Sequence, residues 1–327
     1  MRGAVGTIII NNVILGARNL RDPDDNLPPT PIARRDDESA VSSVVTVMIP
    51  RVEGLALILQ IKNETKSAAI EVEALMKSSY NVIAQTTGGD QNNVLIVGAH
   101  SDSVPAGKLQ TPLTQSLSNG NVGPGINDNG SGIITLLEVA QGLTNYTVNN
   151  AIRFVWFSGE EVGILGSFEY VHSLSQTELD KIALMLCFDM IASPNYVLGV
   201  YDGDGSKFNT ITPPGSAAAE KLFHEYFSSV GLPSVELELN LRSDYLPFYQ
   251  AGIPIGGLFT GAELLKTEEE EALFGGNASL PYDINYHAAG DTVDNLNPVA
   301  WIQNSKAIAH SIATYAISFK SLGIGRK

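Results

Sequence analysis

The 327-residue chain is 44% hydrophobic and 17% charged, a balance that supports a large packed core and excludes an intrinsically disordered chain. With 35 Asp and Glu against 20 Lys and Arg, the net charge of −15 excludes nucleic-acid or anionic-lipid binding through an overall basic surface. A single cysteine, Cys187, excludes an internal disulfide and any Cys-based zinc module.

Residues 1–12 hold one Arg and an apolar run too short to span a membrane. Their β-branched residues and the following Asn11-Asn12 read as strand and turn, not as a signal peptide. Runs at 5–14 and 44–49 are β-rich and flank a polar, Pro-rich stretch at 18–43, and 53–59 reads as a short helix. These make a small β-rich unit expected over 1–63, with a second domain over 64–327. In the latter, 94–97, 151–157 and 182–188 are short apolar runs, as expected of strands buried on both faces. Helices are expected at 132–143, 163–173, 217–230 and 298–319; in the last, Ile302, Ala309, Ile312, Ala316 and Phe319 keep helical spacing behind Pro298. Such alternation predicts an α/β fold with a mainly parallel sheet covered by helices on both faces, in three α/β/α layers. The acidic run 268–271 reads as a solvated helix face. No later segment reaches the ~18 uninterrupted apolar residues of a membrane helix. Asn-x-Ser/Thr triplets at Asn63, Asn129, Asn145 and Asn277 hint at a secretory route.

Each buried strand ends on groups that bind cations. The first run stops at His100-Ser101-Asp102, the second at Ser158-Gly159-Glu160-Glu161, the third at Asp189. In a parallel sheet the carboxyl ends of strands share one edge, where ligands bind, and a cation cancels the repulsion of several carboxylates there. Asp102 lies two residues beyond His100, a spacing that can place its carboxylate beside the ring. Asn127-Asp128-Asn129, after Gly123-Pro124-Gly125, precedes a helix; Asp128 or Ser131 can cap that helix, or the Asp128 carboxylate can bridge two ions. In Glu160-Glu161 adjacent side chains point apart, so one can bind metal while the other faces a reacting water. Tyr286-His287 supplies a second histidine outside any apolar pattern, whereas His172, His224 and His310 fall in expected helices and read as surface or core residues. Nitrogen and oxygen ligands without thiolate suit zinc or a similar divalent ion.

Together these residues resemble the zinc-dependent aminopeptidases of the bacterial and fungal leucine-aminopeptidase and aminopeptidase Y type. The likeness runs in order through the segments 98–104, 123–132, 157–167, 188–195, 201–205, 242–245, 256–263 and 286–287. It implies two zinc ions: His100 and Asp189 on one, Glu161 and His287 on the other, Asp128 bridging. It further implies Glu160 as general base, Asp102 as the support of His100, Tyr286 as an oxyanion donor, and Arg242 and Phe259 as substrate contacts. The implied substrate is a peptide with a free N-terminus, and the implied location secreted or vacuolar. The first unit resembles a protease-associated domain, entered part-way, so that the leader and first peptidase segment of relatives are expected to be absent. Residues 108–122 lengthen a loop that is short in relatives, and Asn285 and Gly290 stand where relatives often carry a cysteine pair. The same residues also fit another metal hydrolase of this fold, such as a carboxypeptidase, or a truncated remnant that binds metal or peptide without turnover.

Overall fold

A computed structural model describes residues 6–11, 45–50, 79–104 and 123–325. The chain divides into two units, Met1–Met76 and Lys77–Lys327. In the first, β1 (Gly6–Asn11) and β2 (Val45–Pro50) pair in parallel, Gly6 opposite Val45 and Asn11 opposite Pro50. The expected loop at 18–43, helix at 53–59, domain boundary at 63/64 and insert at 108–122 lie outside the described residues.

In the second unit the strands are β3 (Val82–Gln85), β4 (Asp90–His100), β5 (Asn150–Phe157), β6 (Ile182–Phe188), β7 (Gly199–Tyr201), β8 (Val235–Leu237) and β9 (Ile255–Phe259). They form one sheet in the order β3-β5-β4-β6-β9-β7-β8. The middle four are mutually parallel; β3 and β7 run antiparallel to β5 and β9, and β8 runs parallel to β7. Helices α1 (Ser131–Leu143), α2 (Leu165–Ser173), α3 (Gln176–Leu179), α4 (Ser216–Ser229), α5 (Leu246–Gln250), α6 (Glu268–Phe274) and α7 (Pro298–Ile317) connect and cover the strands.

Period-two alternation sends successive residues of β4 to opposite layers. Leu95, Val97 and Ala99 join a cluster with Leu136 of α1, Phe223 and Phe227 of α4, and Ile308 and Ile312 of α7. Val94 and Ile96 join the other, with Tyr170 and Val171 of α2 and Phe248 of α5. Two-sided burial is why the strand reads as an unbroken apolar run, each large side chain contributing ~1.5–3 kcal/mol. Close packing excludes side chains at two glycines, against an aromatic ring at Gly98 and against the neighbouring strand's backbone at Gly257. A Cβ on Gly98 would lie 2.6 Å from Phe157 Cε2, and one on Gly257 (φ 154°) 1.9 Å from the carbonyl oxygen of Cys187. Cys187 is 1% exposed, its Sγ 3.4 Å from Ser243 Oγ, and burial raises its thiol well above the ordinary range.

The acidic run belongs to α6, where Thr267 and Glu270 form a capping box and the clustered glutamates oppose the positive helix end. In α7 the Asn297 side chain accepts the N–H groups of Val299 and Ala300 ahead of Pro298. Among the described residues no helix is long and apolar enough to cross a membrane. The arrangement at β4 decides where a site can form. Its two successors in the sheet, β5 and β6, lie on opposite sides of it, so the chain reverses direction across the sheet there and opens a crevice beyond the carboxyl ends.

Candidate metal centre

His100 closes β4 and is 1% exposed. Its Nδ1 contacts the main-chain carbonyl of Asp102 at 2.9 Å, which turns Nε2 toward Asp189 Oδ1 and Asp128 Oδ1, each 3.1 Å away. Asp189 follows β6 directly, and its other oxygen accepts the Ser243 hydroxyl at 2.7 Å. His287 approaches from the far loop with a left-handed backbone (φ 55°). Its Nε2 lies 3.1 Å from Asp128 Oδ2 and 3.0 Å from Glu161 Oε2. The ring stacks on Tyr286, centroids 3.7 Å apart.

Asp128 sits between the two imidazoles, one carboxylate oxygen toward each. Its turn, Ile126–Gly130, is held by its neighbours. The Asp291 carboxylate accepts the main-chain N–H groups of Asn127 (2.8 Å) and Asp128 (3.0 Å). Asn127 donates to Asp283 Oδ2 at 2.7 Å, and Asn129 donates to the Phe188 carbonyl at 2.9 Å. Helix capping falls to Asn129, whose Oδ1 accepts from Gly132 N–H at 3.1 Å, while Ser131 Oγ donates to the Asn127 carbonyl. The Asp128 carboxylate is therefore not used as a cap.

The Asp102 carboxylate lies beside the ring, Oδ1 3.9 Å from His100 Nδ1, and also accepts the main-chain N–H groups of Glu160 (3.0 Å) and Glu161 (3.2 Å) in the turn after β5. Asp102 thus acts on His100 through its carbonyl and on the glutamate pair through its carboxylate.

Burial lowers the affinity of both histidines for a proton, but the carboxylates overcome it. His100 rises well above its ordinary value beside Asp189 and Asp128, and His287 rises to about 10 beside Asp128 and Glu161. Asp128 is buried, which would raise it, yet contacts from both histidines hold it well below the carboxylate range. Burial drives Glu160 up to about 9, with Asp189, Asp244 and Glu161 adding to the rise against His100. Burial likewise raises Glu161.

Asp128 Oδ2 and Glu161 Oε1 are shut from solvent without a hydrogen-bond partner. Buried carboxylates of Asp128 and Glu161 facing the imidazole nitrogens of His100 and His287 are a donor set that a divalent cation completes. His100, Asp128 and Glu161 offer ligand atoms within 4.8 Å of one another. The residues present therefore fit a metal centre.

A cleft opens above it. Glu160, Tyr286 and Arg242 line it together with Met190, Tyr201, Leu237 and Phe259. Arg242 pairs with Glu263 Oε1 at 2.5 Å and donates to the Tyr286 hydroxyl at 3.3 Å. Burial holds the Tyr286 phenol well above its ordinary range, so it remains protonated. Eight of the ten expected site residues line this cleft; of the other two, His100 contacts Asp128 and Asp189, and Asp102 contacts the Glu160-Glu161 turn. The braces Asp283, Asp291, Ser243 and Asn295, which donates to both Asp283 oxygens, went unassigned from sequence; for Asp283, Asp291 and Asn295 the signal was the polar sequence around His287. Of the glycosylation triplets, Asn145 and Asn277 are exposed and Asn129 is buried; Asn63 is outside the described residues.

Residues 81–312 match the profile of Peptidase family M28. Leucine aminopeptidase 2 of Trichophyton rubrum is 51% identical over 75% of this chain and 46% of its own length. Leucine aminopeptidase 2 of Trichophyton equinum is 43% identical over 97% of this chain and 58% of its own. Among solved structures, BSAP, a zinc aminopeptidase from Bacillus subtilis, aligns with a TM-score of 0.55 at 25% identity, covering 72% of this chain and 49% of that one. The chain spans about half the length of the curated relatives it matches.

Proposed function

The chain belongs to Peptidase family M28, and on that premise we propose that it is a metallo-aminopeptidase removing the N-terminal residue of peptides. The observation that carries this reading is Asp128 held between His100 and His287, with one oxygen facing each ring.

In this reading His100 and Asp189 would hold one zinc ion and Glu161 and His287 a second, with Asp128 a ligand available to both pairs. Two such ions would supply Lewis acidity and a bound water acidified toward neutral pH. The chain's own groups supply the rest. Glu160, lining the cleft beside the ligands, takes a proton from the attacking water and returns it to the leaving amine; cations at the centre favour its ionised form. Tyr286, kept protonated by burial and oriented by Arg242, donates to the oxygen that gains charge in the transition state. Asp102 fixes the Glu160-Glu161 turn so that the base and the ligand keep different directions.

The carboxylates Glu160, Glu161, Glu238 and Glu263 around the cleft favour an α-ammonium group. Met190, Tyr201, Leu237 and Phe259 offer an apolar wall for the first side chain. A secreted or vacuolar setting fits the exposed triplets at Asn145 and Asn277. The test compares a leucyl peptide with its N-acetylated form on zinc-loaded protein. Release of leucine from the free peptide alone supports the reading. Cleavage of the blocked peptide, or loss of residues from the carboxyl end, rejects it in favour of another metal hydrolase. Metal binding without any cleavage rejects it in favour of a non-catalytic remnant.

A further inference from the structure

We infer that the chain holds a further divalent-cation site, sharing no residue with the centre above, in which Glu220, His224 and Glu236 bind a transition-metal ion such as zinc. Glu220 and His224 stand one turn apart on α4 and so share a face. Glu236 comes from β8, the edge strand. One ligand atom from each lies within 4.8 Å of the others.

His224 is oriented as a ligand is. Its Nδ1 contacts Ser234 Oγ at 2.7 Å, which fixes the ring. Its Nε2 is shut off from water and has no hydrogen-bond partner. The facing Glu220 Oε1 is 3.8 Å away, beyond hydrogen-bonding range. Glu220 is 5% exposed and has one oxygen committed, Oε2 accepting the Asp204 main-chain N–H at 2.8 Å. In the tautomer whose Nδ1–H donates to Ser234 Oγ, the buried Nε2 presents a lone pair beside two carboxylates, the arrangement that a divalent cation satisfies.

The ordinary alternative is a helical Glu–His ion pair. That pair requires a charged imidazole, whereas burial lowers His224 despite Glu236 and Asp204 nearby, and it raises Glu220 to about 7. Neighbouring charges have their own partners, Lys207 on the main chain of Glu236 itself. Lys207 Nζ donates to the main-chain carbonyl of Glu236 at 3.2 Å and lies 5.4 Å from the Phe208 ring centre. The Asp202 carboxylate is filled by the N–H groups of Ser206, Lys207 and Phe208, and Asp204 Oδ1 accepts from Ser206. One nitrogen and two carboxylates, with water at the open positions, suit zinc, cobalt or manganese. Bound there, the ion would tie α4 to the sheet edge.

The proposal is tested by counting zinc per chain after dialysis against micromolar zinc, for the parent chain and for His224→Ala and Glu236→Gln. Each variant is expected to hold one equivalent fewer than the parent, whatever number the parent holds. Crystals of the zinc-loaded parent are expected to show anomalous zinc density among the three side chains, a reading that does not depend on how the variants fold. Equal zinc in parent and variants, absence of that density, or filling only at millimolar zinc would each overturn it. Failure of the aminopeptidase reading would leave the difference of one equivalent intact.

Discussion

The carboxylate of Asp102 accepts the main-chain N–H of Glu160 at 3.0 Å, tying the loop after β4 to the loop after β5 across the mouth of the centre. Base and brace should separate in kinetics. Glu160→Gln is expected to lower turnover about 10²–10⁴-fold, the usual worth of a general base, with zinc content unchanged. Asp102→Ala releases the Glu161 N–H as well and is expected to weaken zinc binding and activity together, each by ~10–100-fold. Zinc content and kcat measured side by side check both; a Glu160→Gln protein with full turnover would remove Glu160 from its assigned role.

Arg242 pairs with Glu263 and donates to the Tyr286 hydroxyl. Tyr286→Phe is expected to lower kcat by about 10²–10³, the cost of losing one oxyanion donor, with little change in KM. Arg242→Lys keeps a charge but loses the fork that holds both partners, so it is expected to produce a smaller fall in kcat. In the Tyr286→Phe background the Arg242→Lys effect on kcat should largely vanish. Two independent, additive losses in that double-mutant comparison would separate the residues.

Zinc uptake should expel protons. In the metal-free chain His100 is held well above its ordinary value and His287 at about 10, so both are charged at pH 7, whereas a ligating imidazole must be neutral. Calorimetry of zinc binding in buffers of different ionisation enthalpy is expected to report more than one proton released per chain at pH 7. The same shift sets the stability of the metal-free protein. The folded His287 binds its proton more tightly than the unfolded residue near 6.5. Its contribution is therefore complete below about 6.5 and is lost as pH rises through about 10. Denaturant melts of metal-free protein between pH 6 and 10.5 check the direction; increasing stability across that window would contradict it.

Gly257 tests the sheet beneath the site. With a φ of 154° and the Cys187 carbonyl 1.9 Å from any Cβ, Gly257→Ala must push β9 away from β6. A loss of about 3 kcal/mol or more is expected, at the upper end for overpacking, read from the shift in denaturation midpoint. An unchanged midpoint would mean that β6 and β9 are not packed as described.

Most of this architecture is written in the residues themselves. Runs at 94–97, 151–157 and 182–188 are buried on both faces, so continuous hydrophobicity marked β4, β5 and β6 directly, and the polar groups that end them marked the crevice. The strand extended further back than its apolar run, to Asp90, because Asp90–Asn93 project from the sheet and carry no apolar signal. Strands β7 and β8 are three residues long, too short for any period to register, and β9 is interrupted by Gly256 and Gly257. Ligand candidates were legible because charge beside a buried strand is costly without a partner. Their braces were less so. Asp291 and Asp283 act on Asn127 and Asp128 from more than 150 positions away, a relationship that local spacing does not encode. Asp102 shows the limit from the other side: its place beside the His100 ring was legible from spacing, but its contacts to the Glu160 and Glu161 N–H groups, 58 and 59 positions away, were not.

The lone thiol of Cys187 is sealed in the central sheet, beneath the strand ends that carry the ligands. A colourless reagent that alkylates sulfur can reach it only while β6 is opened, so every labelled molecule records one excursion from the native state. The chain thereby carries an internal clock for breathing of the sheet beneath the candidate metal centre, readable by mass spectrometry without adding a tag or altering a side chain.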